Sequence, residues 1–314
     1  MSEAADGLSA RTLHWLAQVL GRDPQVVRAS PLVGGITSRM WLVEVPGERY
    51  VLRQMTLQPW AAQAEALLGR EASSQRLLAG SSVPVPTHVA ADPSGTLTGA
   101  PCLLMSWLPG VVMLGRGDDA VLIEMARVLV TIHRTVAQVR PRTYQSWAGA
   151  GPWPVPEWSD APSLWERANS VGRAPPPTFQ GVFLHRDYNP GNLLWLDSAT
   201  TAPAVSGVVD WVETSWGPAD LDVAHCAKYL AMLHGTEAAA RFVELYGECG
   251  GRVSPDPSAR RYWLVLCALA MWGPERGMDL WRAQGRTLVS LEDQRRRIEQ
   301  FLSWALEDSG AAPI

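Results

Sequence analysis

The chain has 314 residues, 47% of them apolar and 18% charged, enough for two cores and too apolar for disorder. A formal net charge of -4 argues against nucleic acid or an anionic membrane as partner. No apolar run approaches the length of a membrane span, and residues 1–7 lack the pattern of a signal peptide, so the expected compartment is the cytoplasm.

Residues 8–21 have amphipathic helical spacing, with Leu8, Leu13, Trp15, Leu16 and Leu20 on one side. Strand-like runs follow at 30–45 and 49–54, divided by the hairpin signal Pro46-Gly47. A helix is predicted over 63–79, stopped by Gly80. Two prolines then force Val83 to Pro86 into extended backbone. Strands at 89–91 and 101–106 complete a small sheet with one helix inserted. Leu108-Pro109-Gly110 is a natural break.

Beyond it the spacing predicts a helix over 120–136. Residues 140–180, rich in Pro, Trp and Gly, read as irregular apart from a short helix at 162–169. Short buried strands are predicted at 193–196 and 205–209, then helices near 221–234, 236–249, 257–272 and 276–307. Cys102, Cys226, Cys249 and Cys267 are scattered without metal-ligand spacing and read as reduced core residues. Lys228 is the single lysine; arginine supplies the other basic side chains.

The chemistry concentrates at 184–194, Leu-His-Arg-Asp-Tyr-Asn-Pro-Gly-Asn-Leu-Leu, and at Val208-Val209-Asp210-Trp211. Phosphoryl transfer needs a carboxylate that orients a hydroxyl and takes its proton, plus oxygen ligands for magnesium. Asp187 fits the base, and Asn192 and Asp210 fit the Mg2+ ligands. An Asp and an Asn five residues apart at the mouth of a strand, followed by a second apolar strand ending in Asp, form a specific pattern. The structural alternative is that Asp187 and Asn192 cap turns and Asp210 caps a helix.

His185-Arg186-Asp187 with Pro190-Gly191-Asn192, Val209-Asp210-Trp211, and the run from Gly217 to Ala224 resemble the aminoglycoside phosphotransferase family over about residues 30–305. The resemblance implies an α+β, bilobal protein-kinase-like fold. Residues 1–106 would form a sheet-bearing nucleotide-binding lobe, and residues 107–314 a mainly helical lobe with the catalytic loop and acceptor site. ATP or GTP would be the phosphoryl donor, bound in the cleft, with a small-molecule hydroxyl as acceptor. His185 would buttress the catalytic loop, and Asp222, opening a helix, would hydrogen-bond it. Gly34, Gly35, Thr37 and Ser38 resemble the phosphate-covering turn, without a full set of glycines. Glu71 fits the acidic partner of a phosphate-binding cation, with a solvated helix glutamate as the alternative. Ser106 and Trp107 resemble the hinge that reads adenine. The departure is Arg53, where the family usually places lysine; it keeps the charge with a bulkier, forked geometry.

For the acceptor, eleven of the 15 tryptophans fall after residue 140. They either line an acceptor wall or fill a core. Trp211, Glu213, Trp216 and Asp220 are the candidate acceptor residues. The scattered acids Glu157, Asp160, Glu213 and Asp220 make no dense wall for a polycation, so an antibiotic and a less charged metabolite both remain open. The span between Asp210 and Gly217 is too short for an activation loop and no Ala-Pro-Glu segment follows, which argues against a peptide acceptor. The competing reading is a catalytically weak kinase-like protein that binds a nucleotide or small molecule.

Overall fold

The structure is a computed structural model that describes residues 7–33, 37–149, 151–196, 202–270 and 289–307. Two units emerge: residues 1–109 with 209–213, and residues 110–208 with 214–314.

The smaller unit opens with α1 (Ala10–Leu20). Ser9 caps it by accepting from the Thr12 amide, and Gly21 ends it at φ 60°, a left-handed turn that suits glycine. A five-stranded antiparallel sheet follows, built from β1 (Arg28–Leu32), β2 (Arg39–Val45), β3 (Glu48–Gln54), β4 (His88–Asp92) and β5 (Cys102–Ser106), in the order β1-β2-β3-β5-β4. The single run expected at 30–45 is thus two strands, with residues 34–36 between them outside the described residues. α2 (Ala64–Leu78) connects β3 and β4.

Side-chain alternation along the strands decides which residues meet which helix. Leu52, Cys102 and Leu104 pack with Trp15, Leu16 and Ala17 of α1. Leu103 and Met105, one step out of phase, pack with Leu67, Leu68 and Ala72 of α2 and with Val212. Each such fully buried aliphatic side chain contributes about 1.5–3 kcal/mol of transfer free energy. Arg53 follows Leu52 and pairs in register with Leu103, so it projects to the α2 side.

The larger unit contains α3 (Asp119–His133), α4 (Pro162–Gly172), α5 (Ala219–His234), α6 (Thr236–Glu248), α7 (Pro257–Leu269) and α8 (Leu291–Glu307). Residues 276–288 of the last predicted helix lie outside the described residues. Fourteen of the 16 residues of α5 are buried, so it is a core helix with no solvent stripe. Three strands form an antiparallel set in the order β6 (Val111–Val112), β8 (Leu193–Trp195), β9 (Val205–Val208). β7 (Gly181–Leu184) pairs antiparallel with β10 (Ser215–Pro218). This ribbon was not predicted: each strand is four residues long and carries Gly or Pro where it would be recognised. Gly181 is required there, because any side chain would collide with the Trp216 indole lying across it. Among the described residues no helix is long and apolar enough to cross a membrane.

Candidate functional site

β7 leads into the His185-Arg186-Asp187 sequence. Its last residue, Leu184, stands opposite Ser215 of β10, and the chain then turns at His185 and Arg186. Arg186 sits at φ 75°, in the left-handed region that disfavours a bulky residue. Asp222, in the first turn of α5, holds that geometry. Its carboxylate accepts from the His185 amide at 2.8 Å, the Arg186 amide at 2.8 Å and His133 Nε2 at 3.2 Å. Burial lifts its carboxyl pKa, but His133, His185 and Arg186 outweigh burial and hold it below the ordinary value. The Arg186 guanidinium lies 4.3 Å over the Trp147 ring and donates to the Gln145 carbonyl.

His185 is fully buried, and its Nδ1 accepts from the Asp187 amide at 3.2 Å. The imidazole therefore braces the loop from inside and does not present itself to a ligand. The Asp187 carboxylate is 29% exposed and firmly oriented. Oδ1 accepts from His225 Nε2 at 2.9 Å and Asn189 Nδ2 at 3.0 Å. Oδ2 accepts from Asn192 Nδ2 at 3.0 Å. Asn192 closes a single 3-10 turn, Pro190–Asn192, capped by Asn189, whose Oδ1 accepts from the Gly191 amide. Because the Asn192 amide nitrogen is spent on Asp187, its carbonyl oxygen is the atom that suits a magnesium ion.

The second group of predicted residues belongs to the smaller unit. Arg53, 5% exposed, reaches Glu71 Oε2 at 3.0 Å and Asp210 Oδ1 at 2.9 Å with the same Nη1. Glu71 is 1% exposed, so it is not the solvated helix glutamate; its Oε1 also accepts from the Trp211 amide at 3.4 Å. Burial works against charge on Arg53, but Asp210 and Glu71 more than reverse it, so the guanidinium stays protonated. Burial pushes the Glu71 carboxyl up, with Asp210 adding to the shift and Arg53 opposing it. One guanidinium thus serves two carboxylates, and the fully buried one bears the cost. Asp210, at φ 67°, is left-handed, a conformation Asp tolerates better than most residues. Asp210 is the more exposed of the two carboxylates. Arg53 Nε is buried without a partner among the described residues, which suits an incoming anionic oxygen.

The remaining candidates are dispersed. Thr37 and Ser38 precede β2 with their hydroxyls 3.3 Å apart; Gly34 and Gly35 lie outside the described residues. The Ser106 amide donates to the Thr87 carbonyl and the Trp107 amide to the Arg49 carbonyl, so both amides are used within the unit. The Trp107 ring lies 3.7 Å below the Arg49 guanidinium. Trp211 is fully buried and Glu213 half-buried, both in the smaller unit. Trp216, on β10, packs against Gly181 and the Arg140 guanidinium. Asp220 is buried, and both its oxygens accept from the Ser254 amide, at 3.1 and 3.0 Å. The sequence-based assignment of Trp211 and Asp220 to an acceptor therefore meets a physical obstacle: one ring is enclosed and one carboxylate is engaged with the loop before α7.

Sequence reasoning missed Asn189 and His225 and gave Lys228 no role beyond being the single lysine. A signal for two of them was legible in retrospect: His225 and Lys228 follow Asp222 at intervals of three in an otherwise apolar helix.

A model of the phosphotransferase enzyme family matches residues 28–263. Curated proteins give no match. Among solved structures, a Ralstonia eutropha JMP134 protein described as a candidate aminoglycoside phosphotransferase superposes with a TM-score of 0.66 at 18% identity, covering 94% of this chain and 97% of its own. A thermostable mutant of aminoglycoside phosphotransferase APH(4)-Ia, solved with ADP and hygromycin B, gives 0.60 at 18% identity, covering 96% and 100%. A spectinomycin phosphotransferase, solved with ADP and spectinomycin, gives 0.56 at 14% identity, covering 94% and 97%.

Proposed function

The chain belongs to the phosphotransferase enzyme family, and on that premise we propose that it transfers the γ-phosphoryl group of ATP or GTP to a hydroxyl of a small molecule, either an antibiotic or a metabolite. The observation that carries this reading is the Asp187 carboxylate, gripped by three side-chain donors yet open to solvent over more than a quarter of its surface. A carboxylate held this way loses little entropy when it orients a substrate hydroxyl. Oδ1 accepts from His225 and Asn189 and Oδ2 from Asn192, and the carboxylate so held takes the hydroxyl proton. The acceptor oxygen forms its bond to the γ-phosphorus, the bond from that phosphorus to the bridging oxygen breaks, and the nucleoside diphosphate leaves with that electron pair. Asn192 and Asp210 would hold magnesium, which when bound supplies neutralisation of charge on the phosphates. In this division of labour residues 1–106 serve the nucleotide and residues 107–314 serve catalysis and the acceptor, with Thr37, Ser38, Arg53 and Glu71 on the phosphate side.

Arg53 replaces the usual lysine as a working substitute, since it already pairs with Glu71 as a lysine would. Arg53→Lys retains binding. Arg53→Ala weakens magnesium-ATP binding by about 1–3 kcal/mol, the range of a charge-assisted hydrogen bond. Calorimetric titration of both variants checks this, and an unchanged Kd in Arg53→Ala removes the residue from the phosphate site.

The test of the function is nucleoside diphosphate release from ATP and GTP with magnesium, against aminoglycosides, hygromycin B, spectinomycin, macrolides, sugars and amino alcohols. Stimulation by one class names the acceptor. Nucleotide bound without turnover on any hydroxyl, water included, favours a binding protein instead.

A further inference from the structure

The only lysine of the chain lies where a charge is least expected. Lys228 is 1% exposed on α5, the helix buried on almost every face. Burying an ammonium is costly unless it is paired or hydrogen-bonded. Its Nζ lies 3.4 Å from His225 Nδ1 and 4.4 Å from the centre of the Tyr229 ring. His225 is 2% exposed, and its other nitrogen, Nε2, lies 2.9 Å from Asp187 Oδ1. The edge-on rings of Trp147 and Tyr229, centred 5.1 and 5.0 Å away, flank the imidazole. Three residues therefore form a line from the interior of α5 to the exposed carboxylate: Lys228, His225, Asp187.

The direction of that line follows from donor inventories. An ammonium donates and never accepts. The imidazole nitrogen facing it is therefore the acceptor, and in a neutral ring the proton must sit on Nε2, pointing at Asp187. A neutral ring is what the surroundings dictate: burial, with Lys228 and Arg186 adding to it, takes the His225 pKa well below the ordinary value. Burial also draws the Lys228 ammonium down to about 8, still mostly protonated at neutral pH. Arginine, which this chain prefers elsewhere, would bring a larger planar group against Tyr229 and His225.

Resting on the reading of Asp187 as the base, we infer that Lys228 and His225 are positioning residues. Lys228 fixes the imidazole tautomer, and the His225 Nε2–H fixes the Asp187 carboxylate in the orientation that receives the acceptor hydroxyl. Neither touches nucleotide or acceptor. Asp222, three residues before His225 on the same helix, holds the backbone of the loop, while His225 holds its working side chain.

The test pairs a spectroscopic readout with a kinetic one. Side-chain 15N NMR of histidine-labelled protein at pH 7 reads the tautomer directly, with the His225 signals identified by their loss in His225→Gln. The expected result is protonated Nε2 and bare Nδ1 in the wild type, replaced in Lys228→Met by a mixture of tautomers. ADP release from magnesium ATP, with water as acceptor, is measured alongside. His225→Phe lowers kcat roughly tenfold to a hundredfold, the loss typical when a supporting hydrogen bond to a site is removed, with KM for ATP unchanged. His225→Gln, whose amide nitrogen can replace Nε2–H, recovers most of kcat. Nδ1 protonated in the wild type overturns the inference, as does a tautomer and turnover unaltered by Lys228→Met, or equal kcat in His225→Phe and His225→Gln. Asp187→Asn run in the same assay separates the two claims. If it turns over normally, the kinase reading falls; if it is dead while His225→Phe matches the wild type, only the positioning claim falls.

Discussion

In Asp187→Asn, phosphoryl transfer falls by about 10²–10⁴-fold while folding and magnesium-nucleotide binding persist. The lower bound is the loss of a general base. The local geometry adds to it. Three side-chain groups bonded to the carboxylate are donors: His225 Nε2, Asn189 Nδ2 and Asn192 Nδ2. An amide at this position presents its own NH2 to one of them, so two donors face each other and the side chain must rotate. The substrate hydroxyl then loses both its proton acceptor and its fixed neighbour. A single-turnover measurement with bound ATP checks this, and a kcat within tenfold of the wild type would remove Asp187 from the chemistry.

Asp222→Ala carries the largest expected loss of stability. The substitution leaves the His185 and Arg186 amides and His133 Nε2 without their buried acceptor. Removing one partner of a buried charged cluster costs about 3–5 kcal/mol. For a unit of roughly 200 residues that lowers Tm by on the order of 10 °C. Turnover falls too, because Arg186 is held at φ 75° by the bond that is lost. The same carboxylate shapes the acid limb of stability. Its folded-state pKa is below the unfolded value, so its contribution is present above the ordinary carboxyl pKa of about 4 and is lost as pH falls through the depressed value. Thermal melts between pH 3 and 7 should show a shallower acid limb in Asp222→Ala than in the wild type. Parallel curves of equal height would leave Asp222 without either role.

Much of this was legible in the chain because the signals were local. The strand-like runs that became β3 and β5 and the helical spacing of α2 are set by residues a few positions apart. The Asp187, Asn192 and Asp210 pattern was legible for a different reason: each residue type is demanded by chemistry and sits at a strand end. What escaped depended on distant partners. β7 and β10 are four residues each and acquire meaning only from one another. Residues 209–213 join the smaller unit through Arg53, Glu71 and Val212, which no local pattern announces. Trp211 and Asp220 looked available because a sequence does not tell an exposed aromatic or acid from a buried one. His225 was passed over for the opposite reason, as a polar residue in an apolar helix whose partner lies 38 positions earlier in the chain, and Lys228 was noted only as the single lysine.

The central claim is that a phosphoryl group moves to a small-molecule hydroxyl, and 31P NMR of the reaction mixture tests it most directly. With magnesium, ATP and the acceptor that stimulates ADP release, the account predicts a new phosphate monoester resonance growing in step with ADP, absent in Asp187→Asn. ADP accompanied only by inorganic phosphate, at the same rate with and without every acceptor, would contradict it.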